Sequence, residues 1–245
     1  MRYDLTKFKH GLEELNITLT DEQIEQFLQY YEMLVEKNKV MNLTGITEYE
    51  EVIQKHFLDS LSLIRVIPDI ASQKLTVIDL GTGAGFPGIP LKIAFPELEI
   101  TLMDSLNKRI LFLQEVIDAL GLKKVSAVHG RAEEMASNAT HRQQYDLCVS
   151  RAVSNLAVLT EYCLPFVKKG GLFVSYKSAD SDAEIQEGKK AISILGGKLT
   201  SVDKFQLPDS DLRRALVCIK KVKDTPKKYP RKAGTPAKLP LKYMV

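Results

Sequence analysis

Cysteine and histidine are scarce in this chain of 245 residues, which contains 3 and 4 of them. The cysteines are odd in number, far apart and outside any C-x-x-C spacing, a pattern that favours reduced thiols and argues against a zinc site. The histidines are equally scattered, so the sequence predicts no bound metal. The residues concerned are Cys148, Cys163, Cys218, His10, His56, His129 and His141.

Long apolar runs are also missing. No stretch of about 18 uncharged apolar residues occurs, and the opening residues MRYDLTKFKHGLEELN carry charges throughout, without the apolar centre of a signal peptide. Apolar residues still make up 44% of the chain, which is enough for the core of a globular protein. We expect a soluble, cytoplasmic protein that acts as a monomer and has no membrane partner.

Acidic residues become rare toward the C-terminus, although the whole chain is only mildly basic, with a net charge of +3. Residues 224–245 are rich in proline and lysine and show no periodicity, so we interpret them as a flexible or extended tail. Its cations would neutralise phosphates, which favours RNA as a partner. From position 220 onward, Asp224 opposes these basic residues: Lys220, Lys221, Lys223, Lys227, Lys228, Arg231, Lys232, Lys238 and Lys242.

Hydrophobic spacing divides the chain before the tail into two parts. Residues 1–70 read as a helical N-terminal extension, in which Thr20 and Gln23 form a capping box ahead of apolar residues at helical spacing. Residues 71–223 alternate short β-branched runs with amphipathic stretches, which predicts a mostly parallel sheet with helices on both faces. Only PDSDL separates the last two strand-like runs, so these should be antiparallel neighbours.

Glycine is concentrated where the first strand ends, in VIDLGTGAGFPG. Gly81, Gly83 and Gly85 stand at alternate positions between an apolar run and a helix, and such a turn lets a ligand approach the backbone closely. The spacing differs from the G-x-G-x-x-G of dinucleotide enzymes and lacks the G-K-[ST] ending of a phosphate-binding loop. It predicts a nucleotide-type site, with a purely structural turn as the alternative.

Acidic residues follow the next two strands. Asp104 lies 19 positions after Gly85, close to the spacing of an acid that binds ribose hydroxyls, and Ser105 is assigned to the same site. The alternative is that Asp104 caps the helix that follows it. After the third strand, in HGRAEE, backbone groups of residues 131–133 are placed to meet an adenine edge, unless Glu133 is an ordinary solvated acid at a helix start.

Cations follow the fourth and fifth strands. Arg151 and Lys177 lie at the sheet edge where open α/β sheets bind ligands, and the arginine fork matches carboxylates and phosphates. Surface ion pairs are the alternative for both. An adenosine-type ligand without a pyrophosphate, on a sheet with an antiparallel last strand, points to S-adenosylmethionine. The pattern alone leaves open a small-molecule methyltransferase, a nicotinamide-dependent dehydrogenase and a non-catalytic RNA-binding protein.

Several segments together carry a resemblance to one family: NLTGIT, KHFLDSL, VIDLGTGAGFPGIPLKI, LMDSLNKRILFL, HGRAEE, SRAV and TPKKYPRKAGTP. In this order they resemble the bacterial 16S ribosomal RNA guanine-N7 methyltransferases, the RsmG or GidB family, over nearly the whole chain. The resemblance implies a class I S-adenosylmethionine-dependent methyltransferase fold: an α/β, Rossmann-like, mostly parallel seven-stranded sheet with an antiparallel last strand and a helical N-terminal extension. It also implies methyl transfer to N7 of a guanosine, with 16S ribosomal RNA or the small ribosomal subunit as partner.

The resemblance assigns further residues by position, among them Asn42 and His56 beside the reacting methyl group. Together with the strand-end pattern, the predicted catalytic residues are Asn42, His56, Arg151 and Lys177. The predicted cofactor-binding residues are Gly81, Gly83, Gly85, Phe86, Asp104, Ser105, Ala132, Glu133 and Arg151. Lys37 departs from the family, because relatives often carry tryptophan there, so an aromatic contact near the entrance is not assumed.

Guanine N7 carries a lone pair and no proton, so the transfer needs orientation and exclusion of water and no general base. His56 is therefore expected to orient its neighbours and not to transfer protons. The basic tail is expected to serve RNA alone. Its removal should weaken RNA binding and leave cofactor affinity almost unchanged.

Overall fold

A layer of helices precedes the sheet in the computed structural model, which describes residues 3–151 and 153–241. Over residues 3–70 this layer confirms the predicted helical extension. The predicted capping box is confirmed as well, because the Thr20 hydroxyl accepts from the Gln23 N–H at 3.2 Å and the Gln23 side chain accepts from the Thr20 N–H at 2.8 Å. The helices are α1 (Thr6–Glu14), α2 (Asp21–Met41), α3 (Tyr49–Val52) and α4 (Asp59–Leu61).

Between α3 and α4 lies a π-helical turn, Ile53–Leu58, of a kind that is rare and often found at functional sites. The turn buries Phe57 in an aromatic cluster, with its ring centroid 4.9 Å from that of Phe27. The neighbouring His56 instead stacks on Phe86 at 4.4 Å between centroids. This turn thus connects the helical layer to the loop that follows the carboxyl end of the first strand.

Seven strands form one sheet in the spatial order β3-β2-β1-β4-β5-β7-β6. The pairs β1–β2, β1–β4, β2–β3 and β4–β5 are parallel, and β7 is antiparallel to both β5 and β6. This confirms the predicted fold class and the predicted antiparallel last pair. The strands are β1 (Thr76–Leu80), β2 (Glu99–Asp104), β3 (Val125–His129), β4 (Tyr145–Arg151), β5 (Val167–Ser178), β6 (Gly197–Gln206) and β7 (Arg213–Lys221).

Helices cover both faces of the sheet because successive strand side chains point to opposite faces. Val77 of β1 packs in the core beneath the N-terminal helices, and the next residue, Ile78, packs in the core on the other face. Residues on either side of position 70 share the first core, so the predicted domain boundary there stays a prediction. The α-helices that alternate with the strands are α5 (Gly88–Ala94), α6 (Asn107–Ala119), α7 (Ala132–Met135), α8 (Leu156–Cys163) and α9 (Asp182–Ile194).

The C-terminal residues 224–241, called here the C-terminal strap, pack along the second face. Tyr229 and Leu241 are buried in the core of that face. The Arg142 guanidinium donates to the carbonyls of Thr225 and Tyr229, both at 2.9 Å. Of the two interpretations, a flexible or an extended tail, the flexible one is therefore wrong for these residues, because scattered apolar side chains anchor a segment that has no periodicity. The strap includes one short helix, α10 (Thr235–Lys238), and Lys242 lies outside the described residues.

Across the described ranges of the chain, no helix combines the length and the apolar character that crossing a bilayer requires.

Candidate active site

The loop after β1 has the backbone conformation that its glycines predict. Gly81, Gly83 and Gly85 have φ angles of +71°, +62° and +111°, in the region that side chains disfavour. A Cβ atom added to Gly83 would meet nothing within 4 Å, whereas one added to Gly85 would lie 2.7 Å from the Tyr30 hydroxyl. Gly83 thus borders open space, and Gly85 is packed against the helical layer.

The Asp79 side chain fixes this loop through two hydrogen bonds. Its Oδ2 atom accepts from the Thr82 hydroxyl at 2.6 Å and from the Gly88 N–H at 2.8 Å. Complete burial raises the pKa of this carboxyl to about 7. Sequence reasoning assigned Asp79 no role. The signal was the acid that ends the apolar run VID, directly ahead of the glycines.

A pocket of about 170 Å³, called here the acidic pocket, opens at the carboxyl ends of β1, β2 and β3. It brings together five of the nine residues predicted to bind a cofactor: Gly81, Asp104, Ser105, Ala132 and Glu133. Gly130 and Arg131 also line it, and the remaining side chains are apolar or aromatic: Leu80, Met103, Val153 and Tyr162. The pocket therefore combines two carboxylates with a surface suited to a flat apolar ring.

Asp104 is nearly buried, and its Oδ1 accepts from the Leu106 N–H at 2.9 Å. Leu106 itself is the N-cap residue of α6, which has no side-chain cap, so Asp104 is not the cap of this helix, and ribose binding stays a prediction. The Oδ2 atom of Asp104 accepts from the Gly83 N–H at 3.0 Å and from Arg109 at 3.1 Å, which ties the glycine loop to the end of β2. An ionised carboxylate offers about four acceptor positions, so three protein donors leave capacity for a ligand hydroxyl.

Glu133 lies in the first turn of α7 and is 7% exposed, so it is not an ordinary solvated acid. Its Oε1 atom accepts from the backbone N–H of Gly234 at 2.9 Å, and the Arg131 guanidinium lies 3.9 Å from the same oxygen. Gly234 belongs to the C-terminal strap. The wall of the acidic pocket is thus held by a segment about 100 residues away in the chain.

A second pocket of about 360 Å³, called here the cationic pocket, lies at the carboxyl ends of β4 and β5 and beside the π-helical turn. It brings together three of the four predicted catalytic residues, His56, Arg151 and Lys177. The other residues that line it are Ile46, Lys55, Asp59, Tyr176, Ser178 and Arg214. Four of its nine lining side chains are lysine or arginine, so it suits an anionic ligand.

Arg151 is the centre of a buried ion network. Its Nη1 donates to Asp59 Oδ2 at 2.8 Å and to the Lys55 carbonyl at 3.0 Å. The Arg214 Nε lies 3.3 Å from the other oxygen of Asp59, whose side chain is nearly inaccessible. Sequence reasoning missed Asp59 and Arg214. KHFLDSL contains the first, and nothing in the sequence marked the second, which reaches the pocket because β7 inserts beside β5.

His56 is neutral in this network. Burial and the nearby Arg151 charge lower the pKa of its imidazole to about 3. Its Nδ1 lies 3.1 Å from Arg151 Nη2 and 3.1 Å from the Lys55 carbonyl, and its Nε2 lies 2.9 Å from the Thr44 hydroxyl. The guanidinium calls for a lone pair on Nδ1 and the carbonyl for a proton there, so these contacts accommodate either tautomer. Both ring nitrogens have protein partners, and the orienting role of His56 stays a prediction.

Lys177 has an internal partner. Its ammonium forms an ion pair with Glu184 at 2.6 Å and donates to the Ser154 carbonyl at 2.6 Å. It lines the cationic pocket while bound in this way, so a catalytic role for Lys177 stays a prediction. Asn42 is exposed at the end of α2 with a left-handed φ of +49°, and it is not among the residues that line either pocket.

Phe86 connects the glycine loop to the cationic pocket. Its buried ring stacks on His56 and lies under the Arg151 guanidinium, which is 5.1 Å from the ring centroid. The contacts place Phe86 as a support for the cationic pocket, and a direct cofactor contact by Phe86 or Gly85 stays a prediction. Lys37 is remote from both pockets, bound to Glu115 across the groove between α2 and α6 at 2.7 Å.

A comparison with protein families fits this arrangement. The family model described as rRNA small subunit methyltransferase G (GidB) matches residues 23–217. The chain belongs to this family. A relative named Ribosomal RNA small subunit methyltransferase G from Lachnoclostridium phytofermentans is 57% identical over 97% of this chain and 98% of the relative. Another of that name from Alkaliphilus metalliredigens is 54% identical over 96% of this chain and 97% of the relative. The protein is accordingly an rRNA methyltransferase.

Two solved structures share the fold at low sequence identity. TrmN from Thermus thermophilus is 15% identical with a TM-score of 0.51, over 67% of this chain and 48% of that chain. TYW2 from M. jannaschii, solved in complex with AdoMet, is 13% identical with a TM-score of 0.51, over 67% of this chain and 81% of that chain. These likenesses confirm the class I methyltransferase fold.

Proposed function

We propose that this GidB-family methyltransferase transfers a methyl group from S-adenosylmethionine to N7 of a guanosine in 16S ribosomal RNA. The observation that supports the proposal most is that two pockets of different character lie at the carboxyl ends of the parallel strands. The acidic pocket suits an adenosyl group, and the cationic pocket suits a nucleotide of RNA. The small ribosomal subunit in the cytoplasm is the setting that this activity implies.

The residues of the acidic pocket fit S-adenosylmethionine. Asp104 retains acceptor capacity for ribose hydroxyls, and the open space at Gly83 lets a ligand lie directly against the backbone. Met103, Val153 and the Tyr162 ring offer the apolar wall that an adenine requires. When bound, S-adenosylmethionine would supply a methyl group that its sulfonium already activates.

The residues of the cationic pocket would hold the target nucleotide. Lys55 and Arg214 line it as donors for phosphate, and the Arg151–Asp59 pair forms its floor. Guanine N7 has no proton to lose, so these groups need to orient the base and exclude water. A guanine must leave its stack to enter, which favours a loop or an unpaired position in the RNA.

His56 acts as a positioning residue in this proposal. Its Nδ1 meets Arg151 and the Lys55 carbonyl and its Nε2 meets Thr44, so both nitrogens are occupied by protein partners and neither is left to remove a proton from substrate. Its neutral state avoids placing a third positive charge beside Arg151 and Lys55. This agrees with a reaction that requires no general base.

Calorimetric titration and a transfer assay test the proposal together. The protein should bind S-adenosylmethionine and S-adenosylhomocysteine, should not bind NAD, and should transfer labelled methyl from S-adenosylmethionine to 16S ribosomal RNA. Binding of NAD alone would favour a dehydrogenase. Cofactor binding with transfer to small molecules and not to RNA would favour a small-molecule methyltransferase, and RNA binding without cofactor binding would favour a non-catalytic protein.

A further inference from the structure

The C-terminal strap reaches the wall of the acidic pocket through its backbone. Gly234 donates its N–H to Glu133 Oε1 at 2.9 Å, and Glu133 lines the pocket with 7% of its surface exposed. Because Oε1 already accepts this hydrogen bond, Oε2 is the oxygen of the carboxylate that would contact a ligand. The strap therefore fixes the orientation of a charged group at the place where the cofactor is proposed to bind.

Gly234 is suited to this contact by its backbone conformation. Its φ of +80° lies in the left-handed region, which side chains disfavour, and a Cβ added there would meet nothing within 4 Å. The conformation, and not crowding, is what a larger residue would disturb. Gly170 has nearly the same features, with a φ of +87° and no atom within 4 Å of an added Cβ. It lies near the opposite end of β5 from the pockets, which makes it a matched control.

An ion pair anchors the strap three residues before Gly234. The Arg231 guanidinium binds both oxygens of Glu161, with Nε to Oε1 at 2.9 Å and Nη2 to Oε2 at 2.6 Å. The Arg231 backbone N–H also donates to Oε1 at 2.8 Å. Glu161 is fully buried in α8 and directly precedes Tyr162, which lines the acidic pocket. The strap is thus fastened to two elements of one pocket.

We infer that the C-terminal strap is a positioning element of the cofactor pocket and sets cofactor affinity through the Gly234–Glu133 hydrogen bond. The inference rests on the proposed function, which places the cofactor in the acidic pocket. It replaces the sequence-based expectation that this segment serves RNA alone. The same strap also carries exposed lysines that are available to contact RNA, so one segment would serve both RNA contact and cofactor binding. These lysines are Lys227, Lys228, Lys232 and Lys238.

Calorimetry with S-adenosylhomocysteine on Gly234→Ala and Gly170→Ala tests the inference. Both variants introduce left-handed strain of the same kind, so their unfolding midpoints should fall by similar amounts. Gly234→Ala should raise the Kd by at least about fivefold, the lower end of typical coupling between sites, and Gly170→Ala should leave it unchanged. In transfer assays Gly234→Ala should raise the KM for S-adenosylmethionine more than it lowers kcat.

A double-mutant cycle identifies the route of the effect. In a Glu133→Ala background, Gly234→Ala should weaken S-adenosylhomocysteine binding no further, because the group that it positions is gone. Arg231→Lys keeps the charge opposite Glu161 and loses the two-point geometry, so it should also raise the Kd, by a smaller factor. This variant provides an independent measurement of the strap.

The outcomes separate the inference from the proposed function. A wild-type protein that binds no S-adenosylhomocysteine would overturn both. Tight wild-type binding with equal Kd values for Gly234→Ala and Gly170→Ala would overturn the inference alone. Additive effects in the Glu133→Ala background would also overturn it, because the strap would then act by some route other than Glu133.

Discussion

The two pockets at the sheet edge hold their charged groups in different ways. In the acidic pocket, most of the groups that hold the carboxylates are backbone N–H groups: Gly83 and Leu106 bind Asp104 together with the partly exposed Arg109 side chain, and Gly234 binds Glu133. In the cationic pocket, side chains hold one another, as Arg151 and Arg214 both meet the buried Asp59.

This difference has a physical consequence for substitutions. A carboxylate held by backbone groups can be removed at the cost of a few hydrogen bonds, because the donors remain in place for water. Removing one member of a buried ion network leaves an uncompensated charge inside the protein. The acidic pocket should therefore tolerate loss of a functional group better than the cationic pocket, and the predictions below test that contrast.

The largest effect is expected for Arg151→Met, which keeps an apolar stem and removes the charge beside Asp59. The free energy of unfolding should fall by about 3 kcal/mol. This is the lower end of the range for breaking a buried ion pair, because Arg214 remains beside Asp59 as a second cation. The rate of methyl transfer should fall by at least about 100-fold, which corresponds to a loss of about 2.7 kcal/mol of transition-state stabilisation. Denaturant unfolding and initial rates give both values.

Arg65→Met is the matched control for that variant. Arg65 pairs with Asp203 at 2.6 Å, but their side chains are 38% and 29% exposed, so the loss should be within about 1 kcal/mol. Equal destabilisation by the two substitutions would contradict the assignment of a buried network to the cationic pocket.

The next largest effect is expected for Asp104→Ala. Each charge-assisted bond to a ribose hydroxyl contributes roughly 1.5 to 3 kcal/mol, so affinity for S-adenosylmethionine should fall by at least about tenfold. Stability should fall by about 1 to 3 kcal/mol, since three hydrogen bonds from Gly83, Leu106 and Arg109 to Asp104 are lost. Calorimetry and denaturant unfolding on one preparation separate the two roles.

Asp146→Ala provides the comparison for Asp104→Ala. Asp146 accepts from the Thr76 N–H at 3.0 Å at the opposite end of the parallel strands, so its loss should lower stability and leave cofactor affinity unchanged. If Asp104→Ala behaved like Asp146→Ala in both assays, Asp104 would be a structural residue and not a ribose ligand.

A smaller effect is expected when the four exposed strap lysines, Lys227, Lys228, Lys232 and Lys238, are all replaced by glutamine. If about three of them contact phosphate, the slope of log affinity for RNA against log salt should shrink by roughly 2. The anchor residues remain, so the strap keeps its place. Lys7→Gln combined with Lys39→Gln, on the N-terminal helices, serves as the control. An equal change of slope in the control would deny the strap a specific role in RNA binding.

The smallest effect concerns the pH dependence of stability. The folded pKa of His56 is about 3 against an ordinary 6.5, so as pH falls below 6.5 the unfolded chain takes up a proton that the folded protein does not. Stability from this group is therefore lost as pH falls from 6.5 toward 3, by at most about 1.4 kcal/mol per pH unit. In His56→Gln that loss should disappear.

The comparison between His56→Gln and the wild type is necessary because Asp79 acts in the opposite direction. Its folded pKa of about 7 lies above the ordinary 3.8, so its contribution to stability is lost as pH rises from 3.8 to 7. Unfolding free energies measured from pH 5 to 7.5 should give a wild-type minus variant difference that decreases toward low pH. A constant difference would show that His56 is not held neutral.

Local patterns were sufficient to predict the sheet, its antiparallel pair and the acidic pocket. Gly81, Asp104 and Glu133 each directly follow or lie near a strand end, and parallel topology brings such ends together. Asp59 and Arg214 could not be predicted in this way, because their meeting depends on a π-helical turn and on the insertion of β7. The strap was misread because its anchors, Tyr229, Arg231 and Leu241, follow no period.

The most direct test of the central claim is to map methylated guanines in 16S ribosomal RNA with and without the enzyme. Unmodified RNA incubated with the protein and S-adenosylmethionine is treated with borohydride and aniline, which cleave the chain at 7-methylguanosine. We predict one new cleavage site, at a guanosine that is accessible in a loop, and none when S-adenosylmethionine is omitted. Identical cleavage patterns with and without the enzyme would contradict the account.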